Sequence, residues 1–79
     1  MNNLNSKISD VIKKHRLRAN LSQEDLAGLA DIHRTYISQI ERGLKMPTLA
    51  ILFKIANALN LKPSQLVKEI ERDSNDLQD

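Results

Sequence analysis

The stretch LSQEDLAGLADIHRTYISQIERG, residues 21–43, decides how the rest of the chain is read. Ser22 is a preferred helix N-cap, and Gln23, Glu24 and Asp25 fill the first turn with groups suited to the positive end of a helix dipole. Leu21, just before the cap, can staple onto Leu26. The helix so started has Leu26, Ala27, Leu29 and Ala30 as its apolar face. Gly28 in its middle costs about 1 kcal/mol relative to alanine and is read as tolerated. Asp31-Ile32-His33 leaves room only for a tight turn. The next helix starts at Arg34 behind a His33 cap, with Ile32 stapled onto Ile37, and Gly43 stands where a left-handed stop is expected.

Stepping residues 34–42 at about 100° each separates this helix into two arcs. Tyr36, Ile37 and Ile40 fall on one; Arg34, Thr35, Ser38, Gln39 and Arg42 fall on the other. An ordinary surface helix favours long Glu/Lys pairs, whereas the second arc here is made of forked and short hydrogen-bonding groups. Arg can pair both acceptors of guanine, Gln can pair adenine, and Thr offers a hydroxyl beside a methyl. Taken alone, the arc fits a solvated polar face as well as a base-reading one.

Outward from this pair, the flanking sequence supplies three more helices. Residues 6–18 carry Ile8, Val11, Ile12 and His15 on a stripe that Leu4 begins, with Lys13, Lys14, Arg16 and Arg18 toward the negative end and Asn20 as a left-handed stop. His15 on that stripe reads as a satisfied, partly buried histidine and not as a ligand. Thr48 caps a helix whose broad buried face is Leu49, Leu52, Phe53, Ile55, Ala56 and Leu59. Pro63 suits the first position of the last helix, which carries Leu66, Val67 and Ile70. Twelve leucines and eight isoleucines against two valines, two threonines, one tyrosine and one phenylalanine leave little for a sheet. The fold class expected is all-α with five helices. A pair of short helices joined by a three-residue turn, the second bearing an outward polar arc and flanked by helices that complete a core, is the organisation of helix-turn-helix DNA-binding domains.

Length and charge bound the function. Seventy-nine residues make one small domain, and without cysteine it has neither disulfides nor thiolate metal ligands. The longest apolar run, Leu49 to Phe53, is far below the ~20 residues of a membrane span, and the polar start shows no secretory signal, so a cytoplasmic protein without membrane partners is expected. His15 and His33 stand on different elements, and no spacing resembles a metal site or an acid-base pair, so neither a cofactor nor catalysis is expected. Residues 1–68 hold eleven Lys/Arg against five Asp/Glu, whereas 69–79 hold one against five. A basic body is the electrostatic footprint of a nucleic-acid binder. The domain is therefore placed at 1–70 and an acidic polar tail at 71–79.

The segments Leu21 to Ala27, Arg34 to Gly43 and Pro47-Thr48-Leu49 together resemble the Cro and phage-repressor-like (XRE) helix-turn-helix family. His33 to Ser38, the small size and the lack of a second domain are most similar to restriction-modification controller proteins. The resemblance implies a homodimer on a palindromic DNA operator, regulating its own operon as repressor or activator, with RNA polymerase as a further partner. By position it implies that Arg34, Thr35 and Gln39 read bases, with Ser38 nearby, and that Gln23 meets a phosphate; the basic Arg42 and Lys45 and the hydroxyl of Tyr36 are expected to meet phosphates as well. It also implies that Arg16 and Glu41 form a structural ion pair. The family usually has glycine where Asn20 and Asp31 stand, and an aliphatic residue where His15 lies. Leu44, Ile51, Leu61, Val67 and Ile70 exceed the needs of one small core and are placed at the dimer interface. The alternative is an antitoxin or interaction module that binds a toxin through the acidic tail and touches DNA secondarily.

Overall fold

In the computed structural model, which describes residues 3–73, five helices follow one another: α1 (Asn3–Arg18), α2 (Gln23–Ala30), α3 (Arg34–Glu41), α4 (Leu49–Ala58) and α5 (Pro63–Asp73). No strand occurs among the described residues. The starts of α2 and α4 are those that the side-chain chemistry dictates. Ser22 Oγ accepts from the Asp25 N–H at 2.9 Å and Asp25 Oδ2 accepts from the Ser22 N–H at 3.0 Å, a reciprocal box that satisfies two otherwise orphaned donors. Thr48 Oγ1 accepts from the Ile51 N–H at 3.1 Å. His33 is extended, but its side chain makes no capping bond. α1 starts three residues ahead of the expected Ser6, because Ser6 lies inside the helix and its carbonyl accepts from Ser9 Oγ at 3.1 Å.

Four of the helices stop by one device. Asn20, Asp31, Gly43 and Asn60 have φ of 61°, 58°, 75° and 59°, the left-handed region. In each case the following N–H reaches back to a carbonyl five residues earlier: Leu21 to Arg16, Ile32 to Ala27, Leu44 to Gln39 and Leu61 to Ala56, at 2.8–3.1 Å. The motif favours an apolar contact by that following residue. Leu21, Ile32 and Leu61 pack against the core, while Leu44 stays 61% exposed. The left-handed stops at Asn20 and Gly43 are thus as expected, Asp31 adopts the geometry that its family-like position requires, and Asn60 is a fourth that the sequence reading did not mark.

Val11, Ile12, Leu26, Ile37, Ile55 and Leu66 are fully buried and join every helix to one core. α3 packs on α1 and α2, α4 on α2 and α5, and α5 returns to α1. Three apolar assignments need correction. Leu29 is 62% exposed because Leu26, Ala27 and Ala30 already define the buried stripe of the short α2, and Leu29 projects about 105° from its centre. Leu49 and Phe53 are exposed: Leu52, Ile55, Ala56 and Leu59 define the buried face of α4, Phe53 projects about 110° from its centre, and Leu49 stands in the first turn at its margin. Val67, placed outside the core, is exposed on α5, whose buried residues are Leu66 and Ile70. Gly28 has open space where a Cβ would stand, so nothing packs closely there. α5 runs to Asp73, three residues into the tail; the rest of the tail, with Asp76, Leu77 and Asp79, lies outside the described residues.

Candidate nucleic-acid interface

The buried isoleucines fix how α3 is rotated. Ile37 and Ile40 are sealed in the core and Tyr36 packs against its edge, which turns Arg34 and Thr35 fully outward and leaves Ser38 and Gln39 half-exposed beside them. Among the described residues, none of these four side chains makes an intramolecular hydrogen bond. Their donors and acceptors are therefore uncommitted, on one face of a rigidly seated helix. Arg42, just past α3, and Lys45 in the loop that follows are exposed at the same end of the motif. The only acidic residue on α3 is Glu41, whose side chain is 3% exposed and engaged elsewhere, so the face presents positive charge.

Glu41 is held by Arg16 on α1. Arg16 Nε donates to Glu41 Oε2 at 2.7 Å and Nη2 to Oε1 at 3.0 Å, while Nη1 donates to the Leu21 carbonyl at 2.8 Å. Donation to Glu41 raises the Arg16 pKa above its ordinary value, against the opposing effect of burial. The expected ion pair is present, and it fastens the end of α3 to α1. Gln23 also has a partner within the chain: its Nε2 donates to Glu41 Oε1 at 3.1 Å, and the residue is half-buried. Sequence spacing gave no sign that Gln23 and Glu41 would meet.

A second polar cluster lies between α1 and α5. Glu69 Oε1 accepts from Lys14 Nζ at 2.8 Å, and its Oε2 lies 2.8 Å from His15 Nε2. His15 is thus satisfied and partly buried, as read, with a partner that the sequence did not name. Donation by Lys14 lowers the Glu69 pKa; partial burial opposes the shift and His15 adds to it.

The candidate interface residues scatter. Ile70 is 7% exposed and belongs to the core of its own chain, and Ile51 and Leu61 pack against that core, Leu61 because it closes the α4 cap. Leu44 and Val67 remain exposed. The exposed apolar surface that the sequence reading missed is Leu49, Ala50 and Phe53, which line a shallow depression on α4. Their spacing, i to i+4 on a helix already supplied with four core residues, is the signal that could have marked them.

Residues 12–66 match the helix-turn-helix family model. The chain is 42% identical over 67 residues to the control protein C.BamHI of Bacillus amyloliquefaciens, covering 84% of this chain and 83% of that one. It is similar to the crystal structure of the restriction-modification controller protein C.AhdI from Aeromonas hydrophila, at 33% identity and a TM-score of 0.78 over 84% of this chain and 98% of that one. It is also similar to the C.Esp1396I controller protein, solved as a tetramer in complex with its natural 35 base-pair operator, at 44% identity and a TM-score of 0.74 over 85% of this chain and 93% of that one. The chain belongs to the helix-turn-helix family and, within it, is homologous to the control proteins of restriction-modification systems.

Proposed function

We propose that the chain is a sequence-specific DNA-binding transcriptional regulator that grips a two-fold operator as a homodimer and controls its own restriction-modification operon in the cytoplasm. The observation that carries this reading is the uncommitted arc of Arg34, Thr35, Ser38 and Gln39 on a helix whose opposite side is locked into the core. In the major groove Arg34 can fork onto guanine, Gln39 can pair adenine, and Thr35 can donate its hydroxyl to a base acceptor or set its methyl against a thymine methyl. Arg42, Lys45, the Tyr36 hydroxyl and Gln23 provide phosphate contacts that fix register without reading sequence. Two recognition helices must lie about 34 Å apart to meet successive major grooves, which requires a dimer.

For the dimer, Leu44 and Val67 from the original set are retained and joined by Leu49 and Phe53, since these expose apolar surface that the monomer does not use. RNA polymerase is the further partner that regulation implies. The relatives are DNA-binding regulators, and this reading assigns the chain no catalytic step. The test is a nuclease footprint on the DNA upstream of the protein's own gene at two salt concentrations. A two-fold protected site with half-sites one helical turn apart, weakening as salt rises, is the expected result. Absence of any protected site would overturn it.

A further inference from the structure

Gln23 occupies the first position of α2 and touches the carboxylate that anchors the end of α3. A carboxylate only accepts, so the carboxamide must present its NH2 group to Glu41. That group has two hydrogens in one plane, diverging by about 120°; one is committed to Glu41 and the other points away from it. Glu41 would ordinarily repel a phosphate brought this close. Here its charge is offset by Arg16, which occupies both carboxylate oxygens, and its side chain is 3% exposed. Arg16 uses three of its five N–H donors, and at 9% exposure its guanidinium is sheltered from DNA. Gln23, half-buried at the rim of the same network, is the member that combines a spare donor with access from outside.

We infer that the Gln23 carboxamide bridges two anions: Glu41 orients its Nε2 so that the second N–H is aimed at a backbone phosphate. The Arg16–Glu41 pair is then a positioning element for DNA as well as a fastener of the fold. This rests on the DNA-binding reading above and adds which groups prepare one of its phosphate contacts. A neutral amide suits the task because it donates to both anions without attracting a counterion to the site.

The test is a double-mutant cycle on duplex affinity. Gln23→Met, which keeps length and removes both donors, should weaken cognate and scrambled duplexes alike by about tenfold, or about 1.4 kcal/mol, without altering the salt slope. In a background where Arg16→Met and Glu41→Leu replace the ion pair by apolar side chains, the same change should cost less than about threefold. Equal losses in both backgrounds, or no loss in either, would overturn the proposal. If that background fails to fold, the two Nε2 protons of Gln23 in the unaltered protein give the answer by NMR. On adding duplex, the outward proton should shift while the Glu41-facing one holds its position; movement of the Glu41-facing proton alone would overturn it. Failure of the unaltered protein to bind any duplex would remove the DNA-binding reading itself, whereas binding with an indifferent Gln23 would remove only this inference.

Discussion

Arg34 and Lys45 are both exposed cations near the same helix, yet their positions suit them to different work. Arg34 sits at the start of α3, on the outward arc. Arg34→Ala should weaken the cognate duplex by about 1–3 kcal/mol and relax preference at one base pair, whereas Lys45→Ala should weaken all sequences alike and flatten the salt dependence. Equal losses for Arg34→Ala on cognate and scrambled duplex, measured by titration, would take it out of the base-reading set. Buried charge behaves differently. Glu41→Ala leaves the Arg16 guanidinium sheltered and unpaired, so it should lower unfolding stability by about 3 kcal/mol in denaturant titration, several times the loss from an exposed pair such as Arg72–Asp73. Asn20, Asp31 and Asn60 pay, each, for a left-handed backbone that glycine adopts freely. Replacing any one by Gly should raise the melting temperature, with a gain below about 1 kcal/mol because glycine also loses more entropy on folding.

Whole elements were legible where a local rule decides them. Ser22, Thr48 and Pro63 announced their helices, and Gly43 announced a stop, because caps and left-handed turns depend on chemistry within a few residues. The outward arc of α3 was legible for a similar reason, since Ile37 and Ile40 alone fix its rotation. Which apolar stripe is buried was less so: Leu29, Phe53 and Ile70 are equally apolar in sequence, and only packing of neighbouring helices assigns the last to the core and leaves the first two outside. Contacts between distant positions were invisible for the same reason. Gln23 with Glu41, and Lys14 and His15 with Glu69, are brought together by tertiary packing that no spacing encodes. The Glu69 cluster clamps α5 to α1 and makes a pH prediction. Because the carboxyl is held below its unfolded value, its contribution is complete above the unfolded pKa and disappears as pH falls through the folded one. Unfolding curves of the unaltered protein and Glu69→Gln should therefore differ at pH 7 and converge as pH drops from about 5 to about 3. A constant difference across that range would contradict the clamp.

At the scale of the whole molecule, five short helices share one thin core, and exposed Leu44, Leu49, Phe53 and Val67 are surface a lone chain does not use. Phe53→Glu should shift sedimentation toward the monomer and reduce operator binding while leaving the helical signal intact; unchanged mass would move the interface elsewhere. Dimerisation only doubles what the recognition helix can already do. The most direct measurement is therefore equilibrium affinity for the protein's own upstream site against a scrambled duplex of equal length at one fixed salt concentration. A preference of about a thousandfold or more is expected. Affinities within about threefold of each other, at a salt where phosphate contacts alone support binding, would contradict it.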